Sequence, residues 1–167
     1  MSRGFVREDD QEEAPFIPPR AALPDGVPNH VTPRGLQLLL DERTTLLEER
    51  AAIQGSDEER RRRHAEFDGR LALLSERIVT AHVVEPAPDK ADEVRFGSTV
   101  TYLHADGPQR GIERTFTIVG VDEASVKELR IAFTAPIARV LIGTHVGDRV
   151  PFQLGATTQH LEILKIQ

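Results

Sequence analysis

Apolar residues recur at alternating spacings of three and four along residues 32–84, which is the repeat of one face of a long α-helix. The first series follows Thr32-Pro33, an N-cap residue with proline at the first helical position. Its members are Leu36, Leu39, Arg43, Leu46, Arg50 and Ile53. The second series consists of His64, Phe67, Leu71, Leu74, Ile78 and Ala81. Because one helix cannot bury its own apolar face, the pattern predicts two helices packed against each other.

A short polar turn at 54–59 separates the two series. We expect Gly55 to end the first helix, since glycine is favoured just beyond a helix C-terminus. Ser56 and Glu59 have the spacing of a capping box, in which each side chain hydrogen-bonds the backbone N–H of the other residue. A connection this short requires the helices to run antiparallel. Residues 32–84 are therefore predicted to form an antiparallel coiled-coil hairpin with its tip at 54–59.

From residue 93 onward the pattern changes to short alternating segments that are typical of strands. One short helix is predicted at 137–142, after Pro136 and before Gly143. The predicted strands are 94–103, 114–119, 129–133, 149–154 and 160–166. Strands this short, with a single helix, indicate an antiparallel sheet curled around a compact core. The predicted fold class is α+β, with the hairpin followed by a sheet domain at 93–167.

Proline-rich segments lie on both sides of the hairpin. Residues 1–31 contain five prolines and six acids against three arginines. Such a segment buries too little apolar surface to offset the entropy of ordering, so a disordered acidic tail is predicted. Residues 85–92 hold two prolines and three acids and are predicted to be a linker.

Composition limits the classes of function. The chain has 27 acidic and 21 basic residues and a net charge of −6, which argues against binding nucleic acid through a wholly basic surface. It has no cysteine, which excludes thiolate zinc sites and fits a reducing compartment. No apolar run is long enough to cross a membrane, and the N-terminus turns acidic where a signal peptide would become apolar. We expect a cytoplasmic protein that does not engage membranes.

Motifs of catalysis are absent from the sequence. No serine sits in a G-x-S-x-G elbow, no phosphate-binding loop is present, and the six histidines share no metal-ligand spacing. The acids Asp57, Glu58 and Glu59 at the tip either favour a helix N-terminus or offer carboxylates to a metal held by another protein. Two further features remain.

The first is a run of four arginines, here called the arginine cluster: Arg60, Arg61, Arg62 and Arg63. These side chains either form a solvated face paired with neighbouring acids or contact nucleic-acid phosphates or an acidic protein groove. The second is the apolar segment 135–143, which is either a buried turn or the border of a docking surface.

Taken together, these pieces resemble the Gre family of bacterial transcript-cleavage and elongation factors. The hairpin shares the helix start T-P-x-G, present as Thr32-Pro33-Arg34-Gly35. Four family motifs follow in order: Val94-Arg95-Phe96-Gly97-Ser98-Thr99-Val100, Ile118-Val119-Gly120-Val121-Asp122-Glu123-Ala124, Pro136-Ile137-Ala138-Arg139-Val140-Leu141-Ile142-Gly143 and Val146-Gly147-Asp148-Arg149-Val150. The resemblance covers residues 32–166.

The resemblance implies a protein with a coiled-coil arm and an FKBP-like head, and we expect the protein to be a monomer. The head would dock at the secondary channel of bacterial RNA polymerase while the arm enters that channel, meeting the RNA and DNA of the elongation complex indirectly. The residues implied in polymerase binding are Asp122, Glu123, Pro136, Ile137, Arg139 and Leu141. The chemistry would belong to the polymerase and its Mg²⁺, so we expect no cofactor or metal in this chain and no enzymatic activity of its own.

The arm departs from the family pattern. The cleavage motif G-D-L-x-E-N-A-E-Y is absent, and the hairpin is shorter by roughly sixteen residues, which removes about 12 Å of reach. We therefore expect a modulator of the polymerase with weak or no transcript cleavage, similar to the regulator of nucleoside diphosphate kinase, which also has a short arm. One alternative is a true cleavage factor that acts through Asp57, Glu58 and Glu59. Another is an FKBP-like prolyl isomerase, although Tyr102 is the single tyrosine and tryptophan is absent.

Overall fold

The computed structural model describes residues 14–86 and 92–167. Residues 1–13 of the predicted tail and 87–91 of the predicted linker lie outside the described residues. In chain order the elements are β1 (His30–Val31), α1 (Pro33–Ala51), α2 (Asp57–Val79), β2 (His82–Val83), β3 (Thr99–His104), β4 (Glu113–Val119), β5 (Arg130–Ala132), α3 (Pro136–Leu141), β6 (Arg149–Leu154) and β7 (Thr157–Ile166). Below, the arm means residues 32–84 and the head means residues 93–167.

The two helices of the arm bury the apolar series that the sequence shows. They are joined by residues 52–56 alone, so they run antiparallel. Their shared core contains Val31, Leu39, Leu46, Ile53, Phe67 and Leu74, flanked by Leu36, Leu71, Ile78 and Ala81. Arg43 is exposed, and Arg50 reaches across to Asp68 with a nitrogen–oxygen distance of 2.6 Å. The predicted hairpin is thus present, and its arginines lie at the edges of the core.

Both helices begin at the residues predicted to cap them. The Thr32 hydroxyl accepts the Gly35 N–H at 2.9 Å, and Ser56 and Glu59 form a complete capping box. The predicted C-terminus of α1 is wrong by a few residues, because the helix ends at Ala51 with Ala52 as its C-cap. Gly55 instead lies in the turn at φ +129°, a conformation in which a side chain would be strained.

The head is a five-stranded sheet in the order β5-β4-β3-β7-β6, with α3 beside β6. Its core is made by the inward residues of the central strands together with Val94, Ala138 and Leu141. The prediction of a wholly antiparallel sheet is wrong at one edge, where β5 runs parallel to β4. Residues 120–129 separate these strands, and a loop of that length allows the chain to cross back instead of forming a tight hairpin. The sheet is therefore mixed, within the predicted α+β class.

Within the predicted tail, residues 14–31 contact the body at several points. Strand β1 pairs in parallel with β2, so that the His82 N–H donates to the Asn29 carbonyl and the Val84 N–H to the Val31 carbonyl, both at 2.9 Å. Farther upstream, Arg77 donates to the Ala21 carbonyl. Composition suggested disorder because this segment has little apolar surface of its own. The entropy lost when this segment becomes ordered is offset by its contacts with residues of the arm and the head that are remote in sequence.

Candidate functional site

The arm meets the head where two of the family-like motifs come into contact. The Thr32 hydroxyl donates to Glu123 Oε2 at 2.5 Å while it accepts the Gly35 N–H. One threonine thereby caps α1 and ties its first turn to the head. A Cβ on Gly35 would lie 2.8 Å from the same carboxylate oxygen, so glycine leaves the space that Glu123 occupies. The T-P-x-G and D-E-A segments are thus two halves of one joint.

The Glu123 carboxylate is buried, with a side chain only 1% exposed. Its second oxygen, Oε1, lies 2.8 Å from Arg130 Nη1 and 3.5 Å from Arg34 Nη1. Glu128, which is half exposed, contacts the same two arginines at 3.4 and 2.6 Å. A buried carboxylate is tolerated only when it is paired and hydrogen-bonded, and Glu123 meets both conditions. Its role in this structure is to hold the arm to the head.

Asp122 forms a second joint with the segment that precedes the arm. Its side chain is 7% exposed and lies 2.8 Å from Arg20 Nη2 and 3.5 Å from Arg77 Nε. Arg20 also contacts Glu42 of α1 at 2.8 Å. The pKa of Arg20 is raised above its usual value, chiefly by the hydrogen bond to Glu42. Arg20 therefore links three parts of the molecule through two carboxylates.

Sequence reasoning missed Arg20, Arg77 and Arg130 as members of these joints. Arg20 lies 102 positions from Asp122, and no local spacing connects such residues. Arg77 is the chain neighbour of Ile78, a member of the second apolar series, and nothing in the sequence distinguishes it from a surface arginine. The only available signal was the similarity of both joint segments to family motifs.

The geometry revises the set of residues predicted to bind polymerase. Asp122 and Glu123 face the joints, and Leu141 is fully buried in the head core. Ile137 is half-buried and packs against that core. A partner could reach the side chains of Asp122, Glu123 and Leu141 only poorly, because these side chains are enclosed by other parts of the chain. The role of all six residues in binding polymerase stays a prediction. Pro136 and Arg139 on α3 are exposed and remain available to a partner.

At the tip of the arm, the acids are engaged in holding the helix start. The Ser56 backbone N–H and hydroxyl both donate to Glu59 Oε2 at 2.9 Å. These two hydrogen bonds lower the pKa of Glu59, with smaller contributions from Arg62 and Arg63. Asp57 pairs with Arg60 one turn along the helix, although its side chain is 87% exposed. Glu58 is exposed as well. The structure brings the three acids together as N-terminal residues of α2.

The arginine cluster occupies the next turn of α2, and all four residues are exposed. Arg61 and Arg62 line a groove of about 710 Å³ together with the first described residues of the chain. The other lining residues are Ala14, Pro15, Phe16, Ser56, Glu58, Glu59 and Ala65. Positive and negative side chains thus alternate around the tip.

Within residues 14–86 and 92–167, metal-ligand clusters and membrane-spanning helices are both absent. In these ranges no group of three or more histidine, aspartate or glutamate side chains is placed to hold a metal ion. The same ranges contain no helix of the length and apolarity that a membrane span requires. The expectation that the chain carries no metal of its own stays a prediction.

Comparison with known proteins decides the family. A family model described as transcription elongation factor GreA/GreB, C-terminal, matches residues 88–167. Transcription elongation factor GreB of Neisseria meningitidis serogroup A is 34% identical over 156 residues, covering 83% of this chain and 93% of the relative. The chain belongs to the GreA/GreB family. GreA of Thermodesulfovibrio yellowstonii is 31% identical over 160 residues, covering 86% of this chain and 98% of the relative.

Solved structures give a weaker likeness to Gre-type proteins. The match to GreA factor homolog 1 of Thermus thermophilus covers 83% of this chain and 97% of the homolog's chain, at 17% identity and a TM-score of 0.38. GreA/GreB from Nitrosomonas europaea covers 83% of this chain and 98% of its own, at 20% identity and a TM-score of 0.40. The assignment to the GreA/GreB family therefore rests on sequence.

The alignments also show that this Gre-family chain lacks residues that its relatives have. Since 83% of 167 residues is about 139, roughly 17 of the 156 positions aligned with the Neisseria GreB have no residue here. GreA of Hyphomonas neptunium, by contrast, aligns over 100 residues that make up 60% of this chain, which leaves no such gap.

Proposed function

We propose that this Gre-family protein binds bacterial RNA polymerase at the secondary channel and modulates elongation or initiation, with weak or no stimulation of transcript cleavage. One observation carries the second half of the proposal: two of the three tip acids are engaged locally. Glu59 is held by Ser56 and Asp57 pairs with Arg60. Carboxylates used as a cap and in an ion pair are poor candidates for ligands of a distant metal.

The length of the arm supports the same conclusion. Helix α1 has 19 residues and α2 has 23, so the arm is about 35 Å long at most. Removing about eight residues from each helix costs about 12 Å of reach. A carboxylate must approach Mg²⁺ to about 2 Å to coordinate it. In a channel matched to a longer arm, the tip of this one would end short of the catalytic metal.

Exposed residues of α3 are the proposed docking contacts of the head. Pro136 and Arg139 project from a helix whose Ala138 and Leu141 are buried, so a partner could reach them without disturbing the core. We expect Arg139→Glu to weaken binding to RNA polymerase, measured by titration, without lowering the melting temperature. Arg110→Glu is the matched control, because Arg110 is also exposed but lies in the β3–β4 loop. Equal binding by both folded variants would remove Arg139 from the interface.

A backtracked elongation complex distinguishes the proposal from the alternative of a true cleavage factor. Wild type, Asp57→Asn/Glu58→Gln and the control Asp41→Asn/Glu48→Gln are compared for release of 3′ RNA fragments. The control removes the same two charges from exposed positions on α1. We expect little cleavage above the intrinsic rate for all three proteins. Strong cleavage by wild type that only the tip variant loses would show that the short arm reaches the metal.

The same samples test the contribution of the arginine cluster. If these side chains contact nucleic-acid phosphates or acidic channel walls, Arg61→Ala/Arg62→Ala reduces the effect on transcription, and salt reduces it in wild type.

The isomerase alternative gains no support, because Tyr102 is 4% exposed and packs in the core against Phe116.

A further inference from the structure

The groove at the tip of the arm carries an aromatic ring that faces solvent. Phe16 is 80% exposed, more than any other phenylalanine among the residues that the structure describes. It lines the groove together with Arg61 and Arg62. Phe16 lies upstream of the family-like motifs, which begin at residue 32, and the proposed binding of polymerase makes no use of it. An aromatic face beside guanidinium groups is the combination that holds bases and phosphates of single-stranded nucleic acid.

The neighbours of Phe16 hold its ring in place. Ile17 packs so closely against Gly69 of α2 that a Cβ on this glycine would overlap the Ile17 side chain. Glycine inside a helix is unfavourable by itself, and here it leaves the space that Ile17 fills. Pro15 and Pro18 fix the backbone on both sides of the Phe16-Ile17 pair. A base would therefore meet a ring that is already positioned.

The size and charge of the groove suit an anionic ligand. Its volume of about 710 Å³ lies within the range of roughly 300–1,000 Å³ that is usual for ligand clefts. Two acids, Glu58 and Glu59, also line it, but the Glu59 carboxylate already accepts two hydrogen bonds from Ser56. Across residues 57–63 four arginines oppose three acids, and the N-terminal end of α2 adds partial positive charge.

We propose that this groove binds single-stranded nucleic acid, with a base stacked on Phe16 and the adjacent phosphates on Arg61 and Arg62. Each guanidinium offers five donors, so an arginine that contacts a neighbour in its own chain keeps donors for a phosphate. A duplex hides its base faces within the stack and would contact the arginines alone. An acidic peptide would likewise leave the ring without a flat partner. The exposed ring therefore favours a single strand over both.

Binding of nucleic acid by the free chain does not depend on polymerase. The full chain is therefore tested without polymerase, and a negative result would leave the proposed docking of the head intact. Conversely, a head that fails to bind polymerase would leave this groove and its ligand unchanged.

Binding of a fluorescently labelled oligothymidylate, followed by anisotropy, gives the first measurement. Phe16→Ala should weaken binding on the order of tenfold, because one base loses its aromatic partner. Phe16→Trp keeps an aromatic face and should bind at least as tightly as wild type. Val126→Ala removes a similarly exposed apolar side chain from the head and is the control that should bind like wild type. Wild-type affinity in Phe16→Ala would overturn the proposal.

Stacking itself is measured by fluorescence. Because the chain has no tryptophan, the emission of Phe16→Trp reports from position 16 alone. Oligothymidylate should quench this emission. An abasic strand of the same length has the phosphates without the bases, so it should bind more weakly and leave the emission unchanged. Equal binding of the abasic strand, of a matched duplex or of polyglutamate would overturn the proposal, in the last case by making the ligand an acidic peptide.

The salt dependence of binding tests the two arginines. In Arg61→Gln/Arg62→Gln the slope of log affinity against log salt concentration should flatten by about 1.4, the value for two phosphates of a single strand. Arg110→Gln/Arg114→Gln removes two exposed arginines from the head and should leave the slope unchanged. Equal slopes in both double variants would contradict the proposed phosphate contacts.

Gly69→Ala tests the position of the ring without altering the ring or the arginines. Its Cβ would displace Ile17, and Phe16 with it, so binding should weaken toward the level of Phe16→Ala. Alanine favours the helix, and circular dichroism checks that the helices are retained. A folded Gly69→Ala protein with wild-type affinity would contradict the proposed site.

Discussion

Two acidic groups in this protein have the same chemistry and opposite surroundings. At the tip of the arm, Asp57, Glu58 and Glu59 are exposed and serve the start of α2. At the junction of arm and head, the side chains of Asp122 and Glu123 are 7% and 1% exposed. The first group interacts with residues at most a few positions away, and the second with partners up to 102 positions away.

The difference shows how burial decides what a carboxylate contributes. An exposed ion pair is screened by water and adds little, so the tip acids can change without affecting the rest of the molecule. Removing one member of a buried ion pair lowers the free energy of unfolding several times more, because the remaining charged group stays buried without a partner. We therefore expect the junction to tolerate substitution poorly and the tip to tolerate it well. Four substitutions test this contrast, in decreasing order of expected effect.

Glu123→Ala should have the largest effect, a loss of about 3 kcal/mol in the free energy of unfolding. It removes the acceptor of the Thr32 hydroxyl and leaves Arg130 partly buried without its nearest carboxylate. Urea unfolding followed by circular dichroism measures the change. Glu128→Ala is the matched control, since it contacts Arg34 and Arg130 from the solvent side and should cost no more than about 0.5 kcal/mol. Equal losses in both variants would contradict the contrast.

Arg20→Met should have a smaller but clear effect, about 1–2 kcal/mol. It keeps an apolar stem of similar length while removing the hydrogen bonds to Asp122 and Glu42. The N-terminal segment should loosen first, so hydrogen exchange of the Val27 amide, which donates to the Pro24 carbonyl, should accelerate. Arg43→Met on the exposed side of α1 is the control and should leave this amide unchanged. Unaltered protection in Arg20→Met would mean that other contacts hold the segment.

Ser56→Ala should destabilise the tip by about 1 kcal/mol, because the first turn of α2 loses its N-cap. Amide exchange at Glu59, whose N–H donates to the Ser56 hydroxyl, reports the loss locally. Ser75→Ala makes the same change at an exposed position inside α2, where alanine favours the helix. The prediction fails if both substitutions leave the first turn equally protected.

The smallest effect concerns pH. The pKa of Glu59 is lowered because Ser56 hydrogen-bonds to its carboxylate. A carboxyl group with a lower pKa in the folded chain stabilises the fold above its usual pKa of 4.5, and this contribution is lost as the pH falls through the folded value. The Ser56 amide shift should therefore titrate below pH 4.5 in wild type and in Glu58→Gln, but not in Glu59→Gln. A titration that persists in Glu59→Gln would assign it to another group.

Local features of the arm could be read from the sequence because their physics is local. Thr32 and Ser56 cap helices through bonds that span three residues, and the apolar series repeat within a single turn. The class of the head was accessible for the same reason, since strand alternation is a short-range pattern. The end of α1 at Ala51 instead of Gly55 shows the limit, because several residues of a turn can adopt the conformation that ends a helix.

The sequence by itself determined the hairpin, its caps and the α+β class, and its motifs indicated the family. Only the tertiary structure decided that Asp122 and Glu123 hold the arm to the head, that residues 14–31 pack on the body, and that β5 runs parallel to β4. These outcomes depend on contacts between residues far apart in the chain, such as Thr32 with Glu123. No local spacing encodes such a contact, because it forms only when separately determined elements bury their polar groups against each other.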